Sequence, residues 1–132
     1  MRYLLDTNVC IGAMRRKREI LSRLSQVSPD DCAISMVSVY ELLVGVGKSE
    51  MPAENTIKLQ RFLDELHVLP FDFASAQRAA EVRVTLGNEG LVIGPYDLQI
   101  AGQALAFGLV CVTYNTREFG RVEGLCCEDW EI

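Results

Sequence analysis

Histidine is almost missing from this chain: His67 is the only one in 132 residues. A metal-free ribonuclease needs a pair of imidazoles, so that route is closed. His67 sits between Leu66 and Val68 at a helix-to-strand junction, where packing is the expected role. The five cysteines (Cys10, Cys32, Cys111, Cys126 and Cys127) form no C-x-x-C pair and no zinc-finger spacing. With an odd count and no secretory signal they read as reduced, mostly buried thiols. A G-x-S-x-G elbow and a P-loop are also absent. Positive charge is short as well, with 13 Lys and Arg against 18 Asp and Glu, a net charge of -5. A module that held nucleic acid by electrostatics alone would be basic. An enzyme that meets phosphates through metal ions is not excluded, because the cations reverse the sign of the local field. No apolar run reaches membrane-spanning length. The opening Met1-Arg2-Tyr3-Leu4-Leu5-Asp6 meets an acid too soon for a signal-peptide core. A cytoplasmic location and no membrane partner are the expectation.

What is present is a globular composition, 49% hydrophobic and 23% charged, on a length that fits one domain over 1–132. Arg2 to Leu5 is a strand candidate, stopped by the N-cap formers Asp6-Thr7-Asn8 before a helix over Val9 to Met14. Ile20, Leu21, Leu24 and Val27 repeat at helical spacing, and Cys32 to Met36 reads as a buried strand leading into a helix over Val37 to Val46. Further helices are predicted from Pro52, over Phe73 to Leu86 and over Tyr96 to Phe107, with strands at Val68-Leu69, Leu109 to Thr113 and Leu125 to Glu128. This alternation predicts an α/β three-layer sandwich with a central, mostly parallel sheet flanked by helices. In such sheets functional groups collect at the carboxyl ends of the strands, and Asp6 falls at one of them.

The clearest signal lies in where charge is missing. From Tyr3 to Met14 the only charged residue is Asp6, from Cys32 to Gly47 it is Glu41, and from Leu91 to Thr116 it is Asp97. Apolar segments form interiors, and an ionised carboxylate there needs a partner or a metal. No Lys or Arg inside these windows supplies one. Each acid has a plainer reading: Asp6 as a helix cap, Asp97 as a first-turn residue favoured by the helix dipole, Glu41 as a structural acid. Convergence on one divalent cation explains all three together, and oxygen-only ligands select hard ions such as Mg²⁺ or Mn²⁺ over zinc. With no nucleophile nearby, such a set suits metal-assisted phosphodiester hydrolysis. A phosphatase of the haloacid-dehalogenase type would need a second aspartate where Asn8 stands.

Four segments in order resemble the PIN-domain ribonucleases, and among them the VapC toxins of bacterial toxin–antitoxin pairs. They are Leu4-Leu5-Asp6-Thr7-Asn8, Ser38-Val39-Tyr40-Glu41-Leu42, Gly94-Pro95-Tyr96-Asp97 with Ile100-Ala101, and Val112 to Phe119 with Arg121 to Leu125. Each is short, but the set spans nearly the whole chain. The resemblance implies a PIN-like fold and a Mg²⁺-dependent endoribonuclease in which Mn²⁺ can substitute. It implies Asp6 and Asp97 as metal ligands and Glu41 as a ligand or water-orienting acid. For the fourth acid, many PIN domains carry an aspartate where this chain has Asn115, and Glu118 is the matching acid in the VapC subset with an Arg-Glu-Phe segment. Asn115 could still bind metal through its amide oxygen or a water. Thr7 and Thr113 are candidate supporting hydroxyls, and Gly102-Gln103 stands where relatives often show Ala-His. The implied partners are a VapB-type antitoxin, a second copy of the chain in a homodimer and toxin–antitoxin hetero-oligomer, and RNA. The RNA guess is initiator tRNA cut in its anticodon stem-loop. In this light Arg15, Arg16, Lys17, Arg18, Arg117 and Arg121 become candidate RNA contacts. The alternative is a degenerate PIN domain that only binds or regulates, whose signature would be a lost ligand at the Asn115 and Glu118 corner.

Overall fold

In the computed structural model, which describes residues 1–132, five short strands form one all-parallel sheet in the order β3-β2-β1-β4-β5. The strands are β1 (Tyr3–Leu5), β2 (Cys32–Ser35), β3 (His67–Leu69), β4 (Val110–Val112) and β5 (Cys127–Glu128). Seven α-helices connect or flank them: α1 (Thr7–Met14), α2 (Arg18–Ser25), α3 (Met36–Gly47), α4 (Pro52–Asp64), α5 (Phe73–Asn88), α6 (Pro95–Phe107) and α7 (Thr116–Phe119). β1 is the central strand, with Leu5 registered against Ile34 of β2 on one side and Val112 of β4 on the other.

The pleat divides the core into two layers. Tyr3 and Leu5 join Val9, Cys10, Ile20, Leu42, Leu59 and Trp130 on one face. Leu4, on the opposite face, joins Leu86, Ile100, Ala101, Ala104 and Phe119. Side chains alternate across a strand, so one three-residue segment serves both layers. That is why β1 reads as an unbroken apolar run rather than an alternating one.

The predicted elements occur, with ends shifted by at most two residues; the turn that Ser28-Pro29-Asp30 suggests is the 3₁₀ turn Pro29–Asp31, and α7 is additional. Two expectations change, and that of mostly buried thiols is refined. His67 does not pack: it lies on the edge strand β3, where only Leu69 is buried, and its side chain is 48% exposed with Nε2 3.8 Å from Asp30 Oδ1. Cys10, Cys32 and Cys111 are buried free thiols, but Cys126 is exposed. The outer face of α3 is solvent-exposed at Met36, Tyr40, Leu43 and Val44, although its sequence is apolar all round.

The Gly102-Gln103 pair has a packing role. α5 and α6 approach so closely at Gly102 that an added Cβ would lie 2.5 Å from the backbone of Ala79. Gln103 is buried, and its Nε2 donates to the carbonyls of Leu69 at 3.2 Å and Pro70 at 2.8 Å. The helix that carries Asp97 is thereby stitched to the end of β3.

Candidate active site

The chain runs outward from β1 to β2 and β3, then returns to lay β4 on the other side of β1. The strand order reverses between β1 and β4, and it is beyond the carboxyl ends of the strands at such a switch point that open α/β sheets form their functional crevice. Asp6 follows β1 directly and Thr113 follows β4. Both are buried, Asp6 at 3% exposure.

Asp6 does two jobs. Its Oδ1 accepts from Val9 N at 2.9 Å and caps α1, so the helix-cap reading is correct for one oxygen. The Thr113 hydroxyl, which accepts from Asn115 N at 3.0 Å, keeps its proton to donate to Asp6. Burial nevertheless raises the Asp6 pKa, against the lowering pull of Thr113 and the Val9 amide. Asp6 is an acid whose surroundings do not fully satisfy its charge.

Glu41 comes from the middle of α3 and is half-buried. Thr7 Oγ1 donates to Glu41 Oε1 at 2.6 Å and lies 2.8 Å from Ser38 Oγ. A hydroxyl has one proton, so Thr7 accepts from Ser38 while it donates to Glu41. Ser38 is fully buried and one turn before Glu41 on the same helix face. Sequence reading singled out Thr7 and placed Ser38 in the segment that carries Glu41, but gave Ser38 no role.

Asp97 sits in the first turn of α6, after Gly94, which provides no side-chain cap, and Pro95. The helix dipole there favours an anion. Even so, the Asp97 carboxyl is pushed up to about 6, first by burial and then by the charges of Asp6, Glu118 and Glu41. Among its neighbours the Asn115 amide favours the ionised form. Asn115 Nδ2 also donates to Glu118 Oε2 at 2.6 Å, so both candidates for the fourth corner occupy the same corner.

Asp6, Glu41, Asp97 and Glu118 therefore share one electrostatic environment, and no ion pair with Lys, Arg or His serves any of them. An all-oxygen, net-negative donor set without a basic partner suits a hard divalent cation. No three acidic, cysteine or histidine side chains are gathered tightly enough to close around an ion as they stand.

The basic candidates separate by environment. Arg15, Arg16 and Arg18 are exposed, as is Arg117. Lys17 is tied to Glu131, which removes it from free phosphate contacts. Arg121 Nη1 donates to the Val92 carbonyl at 2.9 Å. Trp130 is fully buried against Tyr3 and serves the core.

The PIN domain family matches residues 3–125. The chain is 38% identical over 130 residues to the tRNA(fMet)-specific endonuclease VapC of Shigella flexneri, covering 98% of each. It is 37% identical over 131 residues to ribonuclease VapC2 of Haemophilus influenzae, again covering 98% of each. Among solved structures, DNA-bound VapBC from Salmonella typhimurium aligns with a TM-score of 0.94 at 37% identity, over 98% of both chains. VapBC2 from Rickettsia felis, bound to a promoter DNA fragment, aligns with a TM-score of 0.91 at 34% identity, over 98% of this chain and 99% of that one.

Proposed function

The chain belongs to the PIN-domain family, and from that membership we propose that it is the toxin of a VapBC-type pair, a divalent-metal-dependent endoribonuclease. The observation that carries the reading is the shared environment of Asp6, Glu41, Asp97 and Glu118, in which Asp97 is held near pKa 6 with no basic partner. Asp6 and Asp97 would hold the metal, with Glu41 and Glu118 completing the donor set and Asn115 supporting Glu118 through its hydrogen bond. When bound, Mg²⁺ or Mn²⁺ supplies an acidified water and charge stabilisation at the attacked phosphate. Thr7 fixes Glu41 through Oε1, which leaves Oε2 to orient that water or take its proton. Thr113 and Val9 N hold Asp6 at the floor of the crevice. The hydrolysed bond is an RNA phosphodiester.

Initiator tRNA is the proposed substrate, on the strength of the full-length identity to a tRNA(fMet)-specific endonuclease. A VapB-type antitoxin is the proposed inhibitor, placing a basic side chain against the acids. The exposed stripe Met36, Tyr40, Leu43 and Val44 on α3 suits a second copy of the chain in a homodimer. A cytoplasmic location follows from a tRNA substrate, and no helix is long and apolar enough to cross a membrane.

Purified protein is expected to cut initiator tRNA in Mg²⁺ or Mn²⁺, to stop with a chelator, and to stop with Asp6→Asn or Asp97→Asn while circular dichroism is unchanged. If wild type and both variants leave tRNA equally intact, catalysis is refuted. A binding-only relative would also show no saturable Mn²⁺ titration.

A further inference from the structure

Three of the four tyrosines are exposed, and each stands beside a residue of the active site: Tyr40 precedes Glu41, Tyr96 precedes Asp97 and Tyr114 precedes Asn115. Only Tyr3 belongs to the core, where its ring meets Trp130. Phe73 is the one other exposed aromatic. A single exposed apolar side chain is ordinary. Rings gathered at the rim of an acidic crevice are a different matter, because neither holding a metal nor activating a water calls for them.

Tyr40 and Tyr96 form a pair. α3 and α6 pack against each other, and the two ring centroids lie 5.8 Å apart with 56° between the planes. Both rings keep open surface, with Tyr40 53% and Tyr96 40% exposed. Tyr40 also edges the apolar stripe of α3, but its ring leans from that stripe onto α6. The anchorage is rigid: Tyr40 is inside α3, and Tyr96 follows Pro95 in the first turn of α6. The two helices that place Glu41 and Asp97 therefore place the rings as well. The hydroxyls meet too. Hydrogen bonding with Tyr40 holds the Tyr96 phenol above its ordinary pKa, and the Glu41 charge adds to that shift. Tyr96 thus lies in the field of the acids and is neutral there.

We propose that the Tyr40–Tyr96 pair is a stacking platform for the base of a nucleotide that adjoins the scissile phosphate. The inference rests on the ribonuclease reading, which puts that phosphate at Asp6 and Asp97. The base is joined to the phosphate through a single sugar, so it comes to rest on the rim of the metal site, and Tyr96 is the direct neighbour of Asp97. An aromatic face holds a base by stacking and needs no positive charge, which a chain of net charge -5 has little of. Tyrosine also loses little freedom on binding, since it has two side-chain torsions. A base reaches the rings only when it has left its own helical stack, so the platform selects unpaired loop nucleotides over duplex.

The test uses the full chain and a labelled anticodon stem-loop RNA, with binding read by fluorescence anisotropy in the Asp6→Asn background so that nothing is cut. Tyr96→Ala is expected to weaken binding about five- to a hundredfold, the range for loss of one base–aromatic stack. Tyr96→Phe is expected to restore it, whereas Tyr96→Leu, apolar but without a π face, is not. In the otherwise wild-type enzyme Tyr96→Ala is expected to raise KM by a similar factor and to leave Mn²⁺ affinity unchanged. An abasic residue on one side of the cleaved phosphate is expected to weaken wild-type binding and to erase the difference between wild type and Tyr96→Ala. A wild type that cuts RNA, with Tyr96→Ala unmoved in affinity and KM, overturns the platform. So does a Tyr96→Ala penalty that persists whichever flanking base is removed. Weaker Mn²⁺ binding makes Tyr96 a support of Asp97, and conversion of a dimer to monomer assigns it to a contact between copies; either outcome also overturns the platform. A wild type that cuts no RNA fails the ribonuclease reading, and the platform falls with it.

Discussion

Asp97 is the residue at which burial and charge most clearly oppose each other. Its carboxyl is pushed up to about 6 from an ordinary 3.8, so between those values the folded chain binds more protons than the unfolded one. Stability from this group is therefore fully present at low pH and is lost as pH rises from about 4 to about 6. In metal-free protein, Asp97→Asn is expected to flatten that portion of the stability–pH profile, measured by chemical denaturation from pH 4 to 7. Adding Mg²⁺ or Mn²⁺ at pH 7 is expected to raise Tm in the wild type and much less in Asp97→Asn, because a ligand that binds only the folded state stabilises it. Thr7 tests the other half of the crevice. Its hydrogen bond goes to a charged acceptor, where such bonds contribute about 1.5–3 kcal/mol. Thr7→Val is expected to lower kcat roughly ten- to a hundredfold with KM little changed, and Thr7→Ser to recover most of it. Steady-state cleavage of a fluorogenic RNA reads both. Of these residues, Asp6, Glu41 and Asp97 were legible in the sequence because each is alone in an apolar window. Ser38 was not, because a buried serine in a helix carries no local mark of its partner thirty-one residues away.

At the scale of elements, the strongly periodic segments read well. Pro52 and Pro95 each open a helix, and Gly108 closes α6 in the left-handed conformation at φ 66°. What the sequence concealed were elements held by tertiary contact. α7 is a single turn, Thr116–Phe119, whose buried anchor is Phe119, and it is the element that carries Glu118 to the site. A four-residue helix has too little propensity to announce itself. β3 was legible as a strand but not as an edge, which is why His67 reads as packed and is found half in water. The α5–α6 contact offers a sharper test of how elements position the site. At Gly102 the added Cβ would meet the Ala79 backbone at 2.5 Å, and backbone cannot swing aside as a side-chain tip can. Gly102→Ala should gain helix propensity, about 1 kcal/mol, and lose more to the displaced helix, about 1–3 kcal/mol. A lower urea midpoint together with reduced cleavage is expected, because α6 carries Asp97. An unchanged midpoint would mean the helices can part freely.

For the whole molecule, the exposed apolar face of α3 is the least economical feature of an isolated chain. Tyr40 at 53% and Leu43 at 50% exposure lie on the helix that also supplies Glu41. Leu43→Asp is expected to convert a homodimer to monomer in light scattering while circular dichroism is retained. If wild type is monomeric at tens of micromolar, the second-copy assignment of that face fails. The same face shows where sequence reading stops: an apolar helix reads as interior, and whether the interior belongs to one chain or to an assembly is not encoded in periodicity.

The central position of β1 also sets an order of events during synthesis. Leu5 is registered against Ile34 early in the chain but against Val112 more than a hundred residues later, and Asp6 N bonds to Val112 O at 3.0 Å. The crevice needs Asp97 and Glu118 as well, so no shorter nascent segment can assemble it. Long-range parallel pairing is slow, and domains complete it only when both partners have emerged. A ribosome translating this chain is thus exposed to the finished nuclease only after the strand that completes β1 has left the exit tunnel.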